Sequence, residues 1–201
     1  MIDALFTKVK GFFINPVETF RQSKADDTKT VFTYFGVLLL IYAILTAVTA
    51  LLGMFAMPTY FGTPFGLALP VLVFFMMLIG GFIVTLIFAV WLHLWVYILG
   101  GRKGIMQTIN AMIYSSTPRL LLGWIPFVGI IFSLWSLVLG VLGIRELQEM
   151  STTKAILAVA IAIIIPLIII ILLAAWFLIS TVTVTAVPGV PTEVVSPLNA
   201  V

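Results

Sequence analysis

Two ionisable residues, His93 and Arg119, lie inside the apolar stretches of this 201-residue chain. An ionisable group in a membrane is costly unless it is paired or reaches water, so each is a candidate functional site. His93 lies between Trp91 and Trp95, which favours an aromatic belt in which the imidazole bonds to a lipid headgroup or a neighbouring helix. Arg119 follows Pro118, and its guanidinium would bind exposed backbone carbonyls, reach the headgroups or, as the sharper hypothesis, contact a lipid phosphate.

The remaining composition argues against catalytic and metal chemistry. The chain has one histidine and no cysteine, so a zinc site would depend on carboxylates, and none lies in the apolar stretches. A serine hydrolase would have to use His93 as its base. The glycine-rich run at residues 100–104 lacks the spacing of a phosphate-binding loop. We therefore expect no enzymatic activity, no cofactor, no metal site and no nucleic-acid partner.

A second group of candidates consists of charged residues outside the apolar stretches. These are Glu18, Arg21, Arg102, Lys103, Arg145, Glu146, Glu149 and Lys154. Basic residues near anionic lipid contribute about 1 kcal/mol each, which favours headgroup contacts. The alternative is a docking face for a soluble protein partner. Four phenylalanines, Phe6, Phe12, Phe13 and Phe20, would add apolar anchors to either role.

The elements that position these residues are membrane helices. Hydrophobic residues make up 63% of the chain and charged residues 8%, and residues 30–101 contain no charged side chain. An ordinary globular domain has about 25% charged residues. Since one crossing takes about 20 apolar residues, the sequence predicts a multi-pass integral membrane protein whose natural partners include membrane lipids.

We predict an all-α fold, a bundle of five transmembrane helices preceded by an amphipathic interfacial helix. The spans are residues 31–52, 71–99, 106–122, 126–144 and 155–179, the last containing Pro166. The third and fourth would be full crossings or a short or re-entrant hairpin. Residues 1–30 would form a cytoplasmic segment, with a helix starting at Pro16 and a capping box between Asn15 and Glu18. Residues 31–180 would form the membrane domain and residues 181–201 a short, disordered outer tail.

The distribution of basic residues predicts the orientation. Nine of the ten lysines and arginines lie on one side of the predicted spans, and Arg119 lies on the other. By the positive-inside rule, the N-terminus is cytoplasmic and the C-terminus is outside.

The order of several prolines, glycines and aromatic residues resembles a known family. The matching positions are Asn15-Pro16, Thr19-Phe20, Gly100-Gly101, Tyr114-Ser115, Pro118, Ile125-Pro126, Trp135, Gly143 and Lys154-Ala155. Over about residues 10 to 178, the chain resembles the Ypt-interacting protein (Yip) domain family, particularly its prokaryotic members. The resemblance implies five membrane helices and a cytoplasmic N-terminus. Eukaryotic relatives bind prenylated Rab-type GTPases and assemble with one another, but they carry a longer cytosolic N-terminal region with a Tyr-Gly-Pro-type motif, which this sequence lacks.

These observations predict an organising or adaptor protein of the Yip type in a prokaryotic cell membrane. It would recruit a cytoplasmic partner or shape the membrane, alone or as a homo- or hetero-oligomer. The alternative is a small-solute or lipid transporter acting as an oligomer, which would need a polar pathway through the spans.

Overall fold

A computed structural model describes residues 2–56 and 66–185, and nearly all of them are helical. The helices are α1 (Ile2–Ile14), α2 (Pro16–Gln22), α3 (Thr28–Ala56), α4 (Ala68–Phe75), α5 (Gly81–Ile98), α6 (Ile105–Ser115), α7 (Thr117–Leu122), α8 (Val128–Leu147) and α9 (Thr152–Thr185). A 3₁₀ turn, Ser23–Ala25, follows α2, and a π-helical segment, Met76–Gly80, joins α4 to α5. The predicted all-α membrane fold is confirmed.

Four helical stretches of the described chain are long and apolar enough to cross a membrane. They are Thr28–Gly53, Ala68–Ile98, Val128–Leu147 and Thr152–Thr181. They correspond to the first, second, fourth and fifth predicted spans. The third predicted span is instead the short pair α6 and α7, of 11 and 6 residues, so five full-length crossings are not confirmed. The alternative, that the third and fourth segments form a short or re-entrant hairpin, stays a prediction, and the fourth segment, α8, is itself one of the four candidate spans.

The break between α6 and α7 has a local cause. Pro118 has no backbone N–H to donate, so it is accommodated at the start of a helix rather than inside one. The hydroxyls of Ser116 and Thr117 bond back to the carbonyls of Ile113 and Tyr114, at 2.7 and 2.6 Å. The Ile113 carbonyl also accepts the Ser116 N–H at 3.2 Å, so backbone and side-chain bonds together close the end of α6.

The outer surface of the spans is apolar and exposed. Along α5, for example, Ile83, Val84 and Ile87 are exposed, whereas Thr85, Ala89 and Leu92 are buried. Contiguous apolar surface of this extent is not stable in water, and lipid is the environment that accommodates it.

Small residues allow α6 and α8 to approach closely. A Cβ added at Gly143 would lie 3.2 Å from the Cβ of Ala111, and one at Gly140 would lie 3.8 Å from Ser115 Oγ. At the start of α7, the Arg119 N–H donates to Ser136 Oγ at 3.1 Å. Close backbone approach of this kind is the usual basis of helix association in membranes.

The chain divides into two compact units, residues 1–160 and 161–201, and the boundary lies within α9. In the second unit, the described residues 161–185 are helical and include Pro166, as predicted for a membrane helix. Residues 181–185 continue α9, so the predicted disordered tail does not begin at residue 181. The rest of that tail, residues 186–201, lies outside the described residues, as do residues 57–65 between the first two predicted spans.

Candidate functional site

The N-terminal helices pack on the membrane helices rather than lying free. Phe12 of α1 and Phe20 of α2 are fully buried, with their ring centroids 4.8 Å apart. Phe12 also stacks on Tyr114 of α6 at 5.2 Å. The prediction that Phe12 and Phe20 are free apolar anchors is therefore wrong, because their rings fill the core between α1, α2 and α6. Phe6 remains available as an anchor, being 70% exposed.

The start of α2 is as predicted, but its cap is not. Pro16 occupies the first turn, and the side chain of Asn15 makes no capping hydrogen bond. Glu18 accepts a hydrogen bond from Gln22 Nε2 at 3.1 Å instead of reaching back to Asn15. Thr19 Oγ1 donates to the Asn15 carbonyl at 2.8 Å. The predicted capping box is therefore wrong, although the position of the helix start is correct.

Three segments that are distant in sequence meet in a set of ion pairs. Arg21 Nε donates to Glu146 Oε2 at 2.9 Å, so α2 is joined to the end of α8. Lys24 Nζ lies 2.8 Å from Glu149 Oε1, and Lys103 Nζ lies 2.5 Å from Glu149 Oε2. We call Arg21, Lys24, Lys103, Glu146 and Glu149 the ion-pair clasp. All but Lys24 are predicted candidates, and the structure brings them together.

Electrostatics keep the clasp charged. Hydrogen bonds from Lys103 and Lys24 lower the pKa of Glu149 to about 2. The hydrogen bond to Glu146 raises the pKa of Arg21. Glu149 follows α8 in a left-handed conformation, φ 54°, which is uncommon for a residue with a side chain. This turn ends the helix and presents the carboxylate to both lysines.

A buried hydrogen-bond network lies beneath the clasp. Gln148 is 2% exposed, and its Nε2 donates to the Gly104 carbonyl at 2.7 Å and to Thr108 Oγ1 at 2.9 Å. Its Oε1 accepts from the Lys103 N–H at 3.0 Å. Thr108 Oγ1 also bonds to His93 Nδ1 at 2.8 Å, so His93 binds a neighbouring helix, one of the two roles predicted for it. Sequence reasoning missed Gln148, because a single glutamine after an apolar helix carries no signal.

A second, partly buried cluster involves Lys8 of α1. Its ammonium forms a salt bridge with Asp26, and the Tyr114 hydroxyl donates to the same carboxylate. The distance from Lys8 Nζ to the Tyr114 oxygen is 3.2 Å. Lys8 lies four residues before Phe12, on the same face of α1, so burial of Phe12 also turns Lys8 toward the protein. Lys8 therefore holds α1 to the rest of the chain.

Except for Arg145, the other candidates lie apart from the clasp. Arg102 donates to the Tyr97 carbonyl and lies 4.0 Å above the Tyr97 ring, which caps the end of α5. Glu18 and Lys154 are exposed on α2 and on the first turn of α9. Arg145 pairs with Glu146, with Nη2 and Oε1 2.6 Å apart. Arg119 is exposed on α7, and its guanidinium makes no ion pair with any described residue.

No group of three side chains suited to holding a metal ion occurs in the part of the chain that the structure describes.

In comparisons with known proteins, residues 10–175 match the family model described as the Yip1 domain. No curated protein and no solved structure match the chain. The matched range covers α1 beyond residue 9, all of the clasp and most of α9, in agreement with the resemblance found in the sequence.

Proposed function

Because this multi-pass integral membrane protein belongs to the Yip1 domain family, we propose that it is an organising adaptor whose clasp surface recruits a soluble cytoplasmic protein. The observation that carries the proposal is the docking of α2 and the turn after it onto the end of α8. It joins residues 125 positions apart, Arg21 with Glu146 and Lys24 with Glu149, into one charged surface.

This surface is held in place before any partner binds. The buried ring of Phe20 holds α2 against the membrane helices, and the ion pairs of Arg21 and Lys24 hold the end of α2 and the turn that follows it. A partner that binds a preorganised surface does not have to order it, so less of its interaction energy is lost. Arg21 is 59% exposed at its side chain, and Glu18 projects from the same short helix, so charged groups remain available for recognition.

The proposal includes an orientation. The clasp contains Arg21, Lys24 and Lys103, whereas Arg119 is the one basic residue on the other side of the spans. The positive-inside rule then places the clasp and the N-terminus in the cytoplasm of a prokaryotic cell, and the end of α9 outside. The proposal assigns no enzymatic activity to the chain.

Cross-linking in native membranes tests the proposal. The tagged protein would be cross-linked, purified in detergent and its attached proteins identified by mass spectrometry. Two variants change the surface: Glu18→Lys reverses an exposed charge outside the clasp, and a double variant, Lys103→Gln with Glu149→Gln, removes both ion pairs of Glu149 without changing the net charge. Arg119→Gln on the opposite side is the matched control.

We expect one discrete soluble protein with the wild type and with Arg119→Gln, and its loss with both surface variants. Recovery of only the chain itself and lipids from the wild type would overturn the proposal and favour the lipid or small-solute transporter. Equal recovery of the partner from all four proteins would also overturn it, since the partner would then bind elsewhere.

A further inference from the structure

A cavity of about 440 Å³ lies between α1 and the first turns of α3, away from the clasp. Two lysines, Lys8 and Lys29, and two threonines, Thr30 and Thr33, line it. We propose that this cavity binds the phosphate group of a membrane phospholipid. Its volume falls within the range of about 300–1,000 Å³ that is usual for small-molecule sites.

The position of the cavity suits a lipid headgroup. The first candidate span begins at Thr28, and Lys29, Thr30 and Thr33 belong to its first two turns. At about 1.5 Å per residue, these side chains start within about 8 Å of the end of the span. The headgroup region is about 5–7 Å deep on each side of the hydrocarbon core, so the cavity opens at headgroup depth.

The charges in and around the cavity favour a single phosphate. Lys29 is exposed and forms no salt bridge with any described residue, so its ammonium is available to an anion. Lys8 supplies a second positive charge, although Asp26 partly neutralises it. Asp27 accepts the Thr30 N–H at 3.2 Å, which turns that carboxylate toward the start of α3. A phosphodiester would thus pair mainly with Lys29, and charge-assisted bonds of this type are the stronger ones.

The rest of the wall distinguishes a lipid from a soluble anion. Leu5 and the ring of Tyr34 line the cavity beside the lysines, and most of the lining is apolar. The Tyr34 hydroxyl is already bonded to Thr117 Oγ1 at 2.8 Å, so Tyr34 offers mainly its ring. Phe6, next to Leu5 on α1, is exposed. The glycerol backbone and upper acyl chains of a phospholipid would cover these surfaces, whereas inorganic phosphate would leave them in water.

Native mass spectrometry of the full chain in detergent, titrated with phosphatidylglycerol, tests this site. Lys29→Gln removes the available charge, and Lys10→Gln on α1, an exposed lysine outside the cavity, is the matched control. We expect Lys29→Gln to weaken phosphatidylglycerol binding about fivefold, which corresponds to about 1 kcal/mol for one basic residue near anionic lipid. Lys10→Gln should bind as the wild type does. Soluble glycerol 1-phosphate should not bind at concentrations that saturate the lipid site.

A second variant tests the cavity without changing charge. Thr33 is exposed, so Thr33→Trp should fill the space while the thermal unfolding of the lipid-free protein stays unchanged, and phosphatidylglycerol binding should be lost. Wild-type binding by Lys29→Gln would overturn the proposal, whether or not Thr33→Trp folds. Equal affinity for glycerol 1-phosphate and phosphatidylglycerol would overturn the assignment to a lipid.

Discussion

The ring of Phe20 packs directly on the backbone of Gly143, so closely that a Cβ added to Gly143 would lie 2.9 Å from two of its ring carbons. Phe20 belongs to the short helix before the first span and Gly143 to the last turns of α8. Their contact seats the N-terminal segment on the membrane helices, and it places Arg21 within reach of Glu146. The clasp depends on this contact between a large ring and a residue without a side chain.

The first prediction concerns Gly143→Ala. The new methyl group would collide with Phe20 and lie 3.2 Å from Ala111, and both neighbours are fully buried. Overpacking a buried contact costs about 1–3 kcal/mol, so we expect a lower thermal unfolding temperature in detergent and loss of a Lys24–Glu149 cross-link made with a short reagent. Gly140→Ala on the same helix is the control, because its Cβ would have an ordinary contact at 3.8 Å. Equal stability of the two variants would contradict this packing.

The second prediction is a pH dependence. The pKa of Glu149 is lowered from 4.5 to about 2 by Lys103 and Lys24. Because the folded-state pKa is depressed, the contribution of this carboxylate to stability is fully present above about pH 4.5 and is lost as the pH falls toward 2. In an NMR titration of carbon-labelled glutamate in detergent, the Glu149 signal should still be largely that of the carboxylate at pH 3.

Replacing one of the two lysines that contact Glu149 separates their effect on its pKa from a general response of the protein to acid. Lys103→Gln deletes the largest cause of the shift, so the Glu149 midpoint should move up toward 4.5. Lys10→Gln, which changes the net charge equally, should leave it in place. A Glu149 midpoint near pH 4.5 in the wild type would show that the two lysines do not lower the pKa of this carboxylate in solution.

The third prediction concerns the buried amide of Gln148. Gln148→Leu has a similar size but leaves the Lys103 N–H and the Gly104 carbonyl without their partner. Unmade hydrogen bonds at partly buried groups should destabilise the protein by about 2–4 kcal/mol in total. Thermal or denaturant unfolding in detergent measures this loss. Gln22→Leu, on the exposed side of α2, should change stability little, and a similar loss in both variants would argue against the network.

The spans could be predicted from the sequence because a segment that crosses the membrane is recognisable from its amino-acid composition. Every side chain that faces hydrocarbon must be apolar, so the uncharged run from residue 71 to 99 indicates the helix that the structure has at Ala68–Ile98. The exception is residues 106–122, which include polar residues such as Gln107 and Asn110 and which Pro118 divides into α6 and α7. Composition reports the environment of a segment and not whether its helix is continuous.

The site could be predicted only in part, for a different reason. Helical spacing shows that Lys8 and Phe12, four residues apart, share one face of α1, but it does not show whether that face meets lipid or protein. In the structure it meets Tyr114, and Lys8 turns inward to Asp26. The pairing of Arg21 with Glu146 likewise depends on how α2 docks, and neither residue carries that information in its local sequence.

The fourth prediction is the orientation, and the absence of cysteine makes it directly testable. Single cysteines would replace Lys10 on α1, Ser151 before α9 and Phe127, which is 87% exposed in the turn before α8. A membrane-impermeant maleimide should label Phe127→Cys in intact cells, and should label Lys10→Cys and Ser151→Cys only after permeabilisation. The physical reason is that α8, with 20 residues, is about 30 Å long, so Phe127 and Ser151 lie near opposite membrane surfaces. Labelling of Ser151→Cys in intact cells would reverse the orientation and exclude a cytoplasmic partner at the clasp.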